Sequence, residues 1–559
     1  MAFLVSPGVQ VKEIDLTNVV PSTSSTIGAM AGAFQWGPCE EVTTVTSETE
    51  LVNKFGKTSA ETFESVMTAA QFLSYGNNLK VVRAVGTSAR NATLSGTGIL
   101  AKNDDHFSTL TPAAADWVMA RHPGVLGNAL TVEVATNPTS WAGSALWKTW
   151  TESAPGTSTG AAAVGGSNDE IHLVVRDYTG AITGTAGEVL EVHSYLSQAS
   201  DVKSSDGTSL YYKDHINTNS EWIRIGNHAA ALTDAGEAAA SNAFTQVNVF
   251  FANIAGGVDD NVLTVGETTL MYNKFADAET IDVNLVFQAN SGLSAADNIT
   301  LSNHITALCA ARKDAVGFVS PERAATANAA APATTVATWR TGCGNTSYGF
   351  ADSSSLYVYD KYNDVYRWIC AAGSMAGLTA NADLTQDPWF SPAGFTRGNV
   401  RNVTKLAWNP NQAERDELYK TGVNPIVTFP GSGTVLFGDK TLQSKPSSFD
   451  RLNVRRLFIV LEKAISTASK ASLFEFNDEF TRAQFRNMVE PFLRDVQGRR
   501  GITDFKVVCD GTNNTGNIID TNKFVADIYV KPARSINYIT LNFIATRTGV
   551  EFSEIAGGN

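Results

Sequence analysis

An apolar alternation from Asp282 to Phe287, a helical spacing of Ile305 and Leu308 within 297–312, and a second apolar run from Ala315 to Val319 follow one another closely. Strand, helix and strand in that order form a βαβ unit, which commits its part of the chain to an α/β sheet. Similar signals occur near the start. Ile27 to Phe34 reads as a strand of small apolar residues, Trp36 to Pro38 as a turn, and Glu41 to Val45 as another short strand. Ser47 and Glu50 then make a capping box, in which each side chain satisfies a free backbone N–H, with Leu51 and Phe55 following on one helical face. A second helix is expected from about Glu61 to Tyr75, leading into a mostly buried strand from Leu79 to Val85. Two α/β stretches thus flank a region of a different kind.

That region, from Thr87 to about Ile254, has weak periodicity. Val132 and Val134, then 171–175, then 189–192, then Tyr211 and Tyr212 read as short strands between polar loops. The tract Ala154 to Asn168, mostly Ala, Gly, Ser and Thr, reads as a flexible excursion. An inserted, surface-exposed β-rich domain or pair of domains is expected there. Beyond the βαβ unit, Ser355 to Tyr359 and Tyr366 to Cys370 are aromatic-rich strands or a strand and a helix start. The small residues from Ala371 to Leu378 are expected to pack as a tight helix.

From about Thr396 to Ile555 helix and strand signals are dense. Asn411 to Lys420 reads as a short helix, and Pro425 to Phe429 and Gly433 to Gly438 as a hairpin. Asp450 is expected to cap a helix from Leu452 to about Ser469, with Val454, Leu457, Phe458, Leu461 and Ile465 as its apolar stripe. Asp478 to Val496 is expected to form a second helix carrying Phe480, Phe485, Val489 and Leu493, interrupted or bent near Pro491. Phe505 to Cys509, Phe524 to Val530 and Tyr538 to Ile544 would add three strands. At the other end, Val9 to Ile14 alternates as a strand too short to stand alone, so it serves either the protein's own sheet or a neighbouring subunit.

Composition limits the function. A chain of 559 residues divides into several domains, and an apolar fraction of 43% supplies their cores. Only 17% of residues are charged, with 42 basic against 55 acidic and a formal net charge of -13, which argues against a nucleic-acid partner. Surfaces poor in charge and rich in Thr, Ser, Asn and Gly suit a protein that buries its outside against copies of itself, and suit some secreted binding proteins too. The scattered Cys39, Cys309, Cys343, Cys370 and Cys509 give neither a disulfide framework nor zinc spacing. The first residues lack the pattern of a signal peptide, and no stretch approaches 18 continuous apolar residues, so the chain is expected to stay in a cytoplasm or leave it by lysis.

Tests for chemistry return little. Gly433 to Thr441 comes near a phosphate-binding loop, but Asp439 stands where the lysine belongs. No two of the histidines at 106, 122, 172, 193, 215, 228 and 304 are spaced as a close ligand pair, and Ser320 and Ser374 lack a nucleophile-elbow pattern. No cofactor, metal or catalytic group is expected. Two charge clusters stand out. Arg451, Arg455 and Arg456 crowd one helix, and Glu475, Asp478, Glu479 and Glu490 lie on or beside the other, with Arg494, Arg499, Arg500 and Lys506 extending the basic set. They pair within a domain, stay solvated, or register one subunit against the next or against a tube.

With those residues in view, the chain resembles contractile bacteriophage tail sheath proteins. Ser6 to Asp15 is similar to the family's N-terminal arm, and Arg121 to Leu130 to its recurrent Pro-Gly-x-x-Gly-Asn turn. The resemblance is densest through Gly394 to Gly398, Asn409 and Pro410, Leu418 and Tyr419, Gly422 to Asn424, Gly438 to Thr441 and Phe449 to Leu457. It implies an α+β multidomain chain, with a core of mixed α/β and helix-plus-sheet domains, inserted β-rich outer domains and extended terminal arms. The implied divisions are 1–22, arm and hinge; 23–86 and 261–395, the α/β core; 87–260, the insertion; 396–545, a C-terminal domain facing the tail tube; and 546–559, hinge and arm. It further implies stacked hexameric rings around a tube, joined by arm strands centred on Val9, Val11 and Ile14 and on Val550, Phe552 and Ile555. The implied partners are other copies, the tube protein, the baseplate and the tail terminator at the neck. A phage-tail-like injection machine and a glycan-binding adhesin are the alternatives.

Overall fold

The computed structural model describes residues 24–113 and 115–537. The arm residues Val9, Val11, Ile14, Val550, Phe552 and Ile555, and the expected strand Tyr538 to Ile544, lie outside them. The described residues fall into two compact units, one ending at Thr467 and one beginning at Ala468.

The first unit is built on a six-stranded sheet of β1 (Gly28–Ala33), β2 (Val42–Val45), β3 (Leu79–Ala84), β4 (Leu285–Phe287), β5 (Val316–Val319) and β6 (Gly349–Ala351). Their spatial order is β6-β5-β4-β1-β3-β2, with β2 alone antiparallel to its neighbour. Strand β1 therefore pairs with β3 at Gly28↔Leu79 on one side and with β4 at Gly28↔Leu285 on the other. Parallel strands buried on both faces read as continuous apolar runs, and every residue of β1 is buried.

Helix α1 (Glu48–Phe55) starts at the expected cap. The Ser47 side chain accepts from Glu50 N–H, but Glu50 Oε2 accepts from the backbone N–H of Thr46, at 2.8 Å, one residue earlier than a capping box has it. Helix α2 (Phe63–Leu73) packs on β1 so closely that a Cβ at Gly28 would sit 2.5 Å from the Phe72 ring. Between β4 and β5 runs α3 (Ala295–Arg312), completing the βαβ unit.

Residues between β3 and β4 include a four-stranded antiparallel sheet in the order Glu188–Ser197, Glu170–Asp177, Leu130–Ala135, Phe250–Asn253, around a core that contains Trp117, Val132, Leu173 and Tyr212. The two ends of this region run antiparallel. Gly86 N–H donates to Asp260 O at 2.9 Å and Arg90 N–H to Val258 O at 3.0 Å. Two expectations fail here. Tyr211 and Tyr212 are not a strand: Tyr212 opens the helix Tyr212–Asn219, and its hydroxyl meets His228 Nδ1 at 2.7 Å. The 154–168 tract holds the helix Thr159–Ala163, whose cap Ser158 is fixed to the buried Asp169 through its N–H at 2.8 Å and its hydroxyl at 2.7 Å.

Beyond β6, β7 (Ser355–Asp360) and β8 (Val365–Cys370) form an antiparallel hairpin. Helix α4 (Ala372–Thr385) is the expected tight helix, its small residues buried against α2. Helix α5 (Gln412–Thr421) carries a full capping box of Asn411 and Glu414 and ends on Gly422 in the left-handed conformation. The hairpin of β9 (Ile426–Phe429) and β10 (Gly433–Leu436) follows. Helix α6 (Leu452–Ser469) has the expected span, but Asp450 sits in a 3-10 turn, Ser448–Asp450, so the cap position falls on Arg451. Leu436, Leu452 and Ile459 join the same core as Met30, Phe72 and Met375, so 396–467 packs onto the α/β sheet rather than around a centre of its own.

The second unit is α7 (Glu479–Gly498) with the antiparallel pair β11 (Ile502–Val508) and β12 (Asp527–Pro532). Phe485, Met488, Val489, Leu493 and Val496 are its buried stripe, and Phe485 meets Phe524 edge to face at 5.4 Å. The helix is not interrupted at Pro491. Pro491 and Asn487, whose carbonyl loses its donor, are both exposed, so solvent can replace the missing bond.

Candidate assembly surfaces

The arginines around the start of α6 are internal struts. Leu452 N–H donates to Asp439 O at 2.8 Å, so the loop after β10 holds the helix start. Arg451 Nη1 donates to Asp439 Oδ1 at 3.0 Å and to the Tyr419 hydroxyl. Lys440 Nζ donates to Tyr419 O at 2.7 Å and lies 4.2 Å from its ring centre, while Lys440 N–H reaches Asn424 Oδ1 at 2.7 Å. The near-miss phosphate loop is thus a structural joint, and its two charged residues face protein groups. Arg455 stacks over Phe449 at 3.9 Å and Tyr348 at 4.3 Å and donates to Ser347 Oγ at 3.1 Å. Arg456 grips both carboxylate oxygens of Asp383 and donates to Ser25 O at 3.2 Å. Arg455 and Arg456 are buried, so they are withdrawn as surface charges.

The other charges behave differently. Glu475, Asp478 and Glu479 are exposed, and Glu490 is half-buried. Asp478 accepts from Thr481 N–H at 2.7 Å as the cap of α7, and that backbone bond holds its carboxyl below the usual range. Arg494, Arg499 and Arg500 are exposed at the far end of α7, with Arg499 at 3.6 Å from Asp495.

A second polar group went unseen in the sequence because its members are far apart in it. At the carboxyl ends of the core strands, where open α/β sheets bind ligands, Ser320 Oγ donates to Asp352 Oδ2 at 2.5 Å and accepts from Ala372 N–H at 2.9 Å. Glu64 accepts from Ser291 N–H at 2.8 Å with Arg323 at 3.7 Å, and Cys370 Sγ donates to Gln288 O at 3.4 Å. The chain's own side chains occupy the place a ligand would take. Burial pushes the Asp352 carboxyl up to about 7 from an ordinary 3.8. A folded-state value above the unfolded one means that this contribution to stability is complete below about pH 4 and is lost as pH rises through 7, up to roughly 4 kcal/mol. Asp352→Asn is expected to flatten the decline of the urea midpoint between pH 4.5 and 7.5; an unchanged slope would remove Asp352 as its source.

His193 and His215, 22 positions apart in sequence, meet edge to face at 5.6 Å, with Glu191 at 3.1 Å from His193 Nε2. Among the described residues no group of three His, Cys, Asp or Glu side chains is arranged to hold a metal ion. A cleft of 570 Å³ between α2 and β7 is lined by Gln71, Tyr359 and Asn402 and by the ion pair Lys361–Glu48 at 3.0 Å.

Three family models match in succession: the Gp18 domain III N-terminal region of tail sheath protein over residues 25–84, the phage tail sheath protein central domain over 268–442, and the phage tail sheath C-terminal domain over 444–546. The tail sheath protein of Enterobacteria phage T4 is 34% identical over 663 aligned positions, covering 99% of each chain. That of Vibrio phage KVP40 is 33% identical, covering 99% of this chain and all of the other. The chain belongs to the phage tail sheath protein family. The sheath fold extends to distant structures as well. A sheath tail protein from Listeria innocua aligns with a TM-score of 0.53 at 13% identity over 92% of this chain and 96% of its own, and one from Desulfitobacterium hafniense with 0.51 at 12% over 90% and 94%. No catalytic family is among these matches. The matched family regions leave out 85–267, the part with the weakest sequence signals.

Proposed function

We propose that this sheath protein polymerises as stacked hexameric rings around a tail tube and contracts to drive that tube through the host envelope for DNA delivery. The observation that carries the proposal is end-to-end similarity to two phage proteins named tail sheath protein, at 33% and 34% identity. The subunit acts mechanically and catalyses no covalent step, its energy being stored in a metastable polymer. Its partners are other copies, the tube protein, the baseplate and the tail terminator, and it assembles in the host cytoplasm before residing in the virion tail. No described helix is long and apolar enough to cross a membrane. Terminal arms centred on Val9, Val11 and Ile14 and on Val550, Phe552 and Ile555 link subunits by strand addition, whose backbone hydrogen bonds persist while domains rotate. The exposed charges of the second unit, Glu475, Asp478, Glu479, Arg494, Arg499 and Arg500, with the half-buried Glu490, register subunits or face the tube.

Electron microscopy of the purified full-length chain is expected to show helical tubes; a monodisperse monomer that binds glycans would overturn the proposal. Deleting residues 1–15 is expected to leave a monomer with an unchanged melting temperature that builds no connected tubes. Long regular tubes from that deletion would rule out the N-terminal arm as a link.

A further inference from the structure

The loop between α6 and α7, together with the first turn of α7, carries an apolar cluster with no internal purpose. Leu473 is 63% exposed, Phe474 is fully exposed, and Phe476 and Phe480 are 84% and 74% exposed. Scattered exposed apolar residues are ordinary, but four within eight positions mark an interaction surface. Phe474 also holds a φ of +70°, a left-handed conformation that disfavours a bulky residue. The loop is nonetheless built rather than loose. Asn477 Nδ2 donates to Asn514 Oδ1 at 3.2 Å and Lys523 O at 2.8 Å, and Arg482 Nη1 donates to Asn477 Oδ1 at 2.8 Å. An aromatic cluster fixed at its base loses little conformational freedom on docking.

The charges around it specify the occupant. Glu475 and Glu479 stand among the aromatics, so the matching surface is apolar with a basic rim. The same unit offers such a rim at the opposite end of α7, where Arg494 and Arg500 are exposed. A helix of 20 residues separates the two ends by about 30 Å, so one copy cannot join its own two surfaces. Contact between different surfaces of successive copies is heterologous and propagates into rings or helices.

We infer that the Leu473–Phe480 segment of one subunit docks on the basic end of α7 of the next, with Phe474 and Phe476 as its anchors. This rests on the reading of the chain as a self-assembling sheath and names a contact within it. All cysteines at 39, 309, 343, 370 and 509 are buried, so introduced ones can be read selectively. Full-length Phe476→Cys and Arg494→Cys proteins, mixed and oxidised, are expected to give a disulfide-linked dimer that neither gives alone. Phe474→Ser with Phe476→Ser is expected to raise the concentration needed for assembly about tenfold or more, the scale of losing an anchor residue, with the melting temperature unchanged. Tubes from the mixed proteins without the cross-link would overturn the inference and leave the sheath reading intact. Normal self-assembly of the serine variant combined with loss of tube-protein binding would overturn it in favour of the tube as occupant. Absence of any wild-type assembly would overturn the sheath reading itself.

Discussion

Replacing Arg456 by alanine is expected to destabilise the first unit by about 3–5 kcal/mol, the usual cost of leaving one member of a buried ion pair alone. Arg456 and Asp383 have side chains only 4% and 2% exposed, and the arginine also serves the carbonyl of Ser25. Without the guanidinium, the Asp383 carboxylate keeps only the Ser25 hydroxyl, at 2.6 Å, among its described partners. The urea midpoint of Arg456→Ala should fall accordingly. Arg456→Met combined with Asp383→Leu should recover most of the loss, because removing both charges removes the desolvation cost that the lone carboxylate bears. A double variant as unstable as the single one would show that packing around the guanidinium, not its charge, does the stabilising. Arg451, 20% exposed and paired with Asp439, should cost less when replaced, because water compensates part of its loss.

Gly373→Ala is the second large effect, and two terms of opposite sign decide it. In the first turn of α4 the change should gain at most the roughly 1 kcal/mol of helix propensity that it would bring in a helix interior. The new Cβ would, however, stand 2.5 Å from the Thr68 carbonyl oxygen of α2, a backbone atom that cannot swing aside. The helices must separate, which loosens Met375 and Ala376 in the core they share with Phe72 and Leu356, at a cost of about 1–3 kcal/mol or more. The steric term wins, so the midpoint should fall. Gly516→Ala, where a Cβ meets nothing within 4 Å, is the matched control and should leave it unchanged. Equal midpoints for the two variants would mean that α2 and α4 are less closely packed than described.

What could be read in advance was whatever is encoded locally. The cap at Ser47, the short helix near 411–420, the βαβ unit and the 425–438 hairpin depend on residues a few positions apart, and their propensities agree with the final packing. The misses have long-range causes. Tyr211 and Tyr212 have strand-forming side chains, but the Tyr212 hydroxyl finds its partner on His228 and the chain turns helical. The 154–168 tract has the composition of a linker, yet the Asp169 carboxylate anchors it. The arginines of α6 gave a correct count of charges and no hint of their fate, because Asp383 and Tyr348 stand 73 and 107 positions away. For the assembly surfaces, the charges of α7 were legible, whereas the aromatic loop was not: Phe480 reads as one more apolar residue of a helix until its exposure is seen.

The hydrogen bond from Gly86 to Asp260 has a consequence for how the chain is made. Strand β1 leaves the ribosome early and finds β3 soon afterwards, but its other neighbour, β4, begins at Leu285. At about 5–20 residues per second, roughly 10–50 s pass with that edge of β1 uncovered. A nascent sheet with an open edge invites pairing with another nascent chain. Once the intervening region folds, however, the 86–260 tie brings its ends together, and the next strand emerges about 25 residues later beside the edge it must cover. The order of synthesis then favours the intramolecular partner, and each subunit can complete its own core before it meets another.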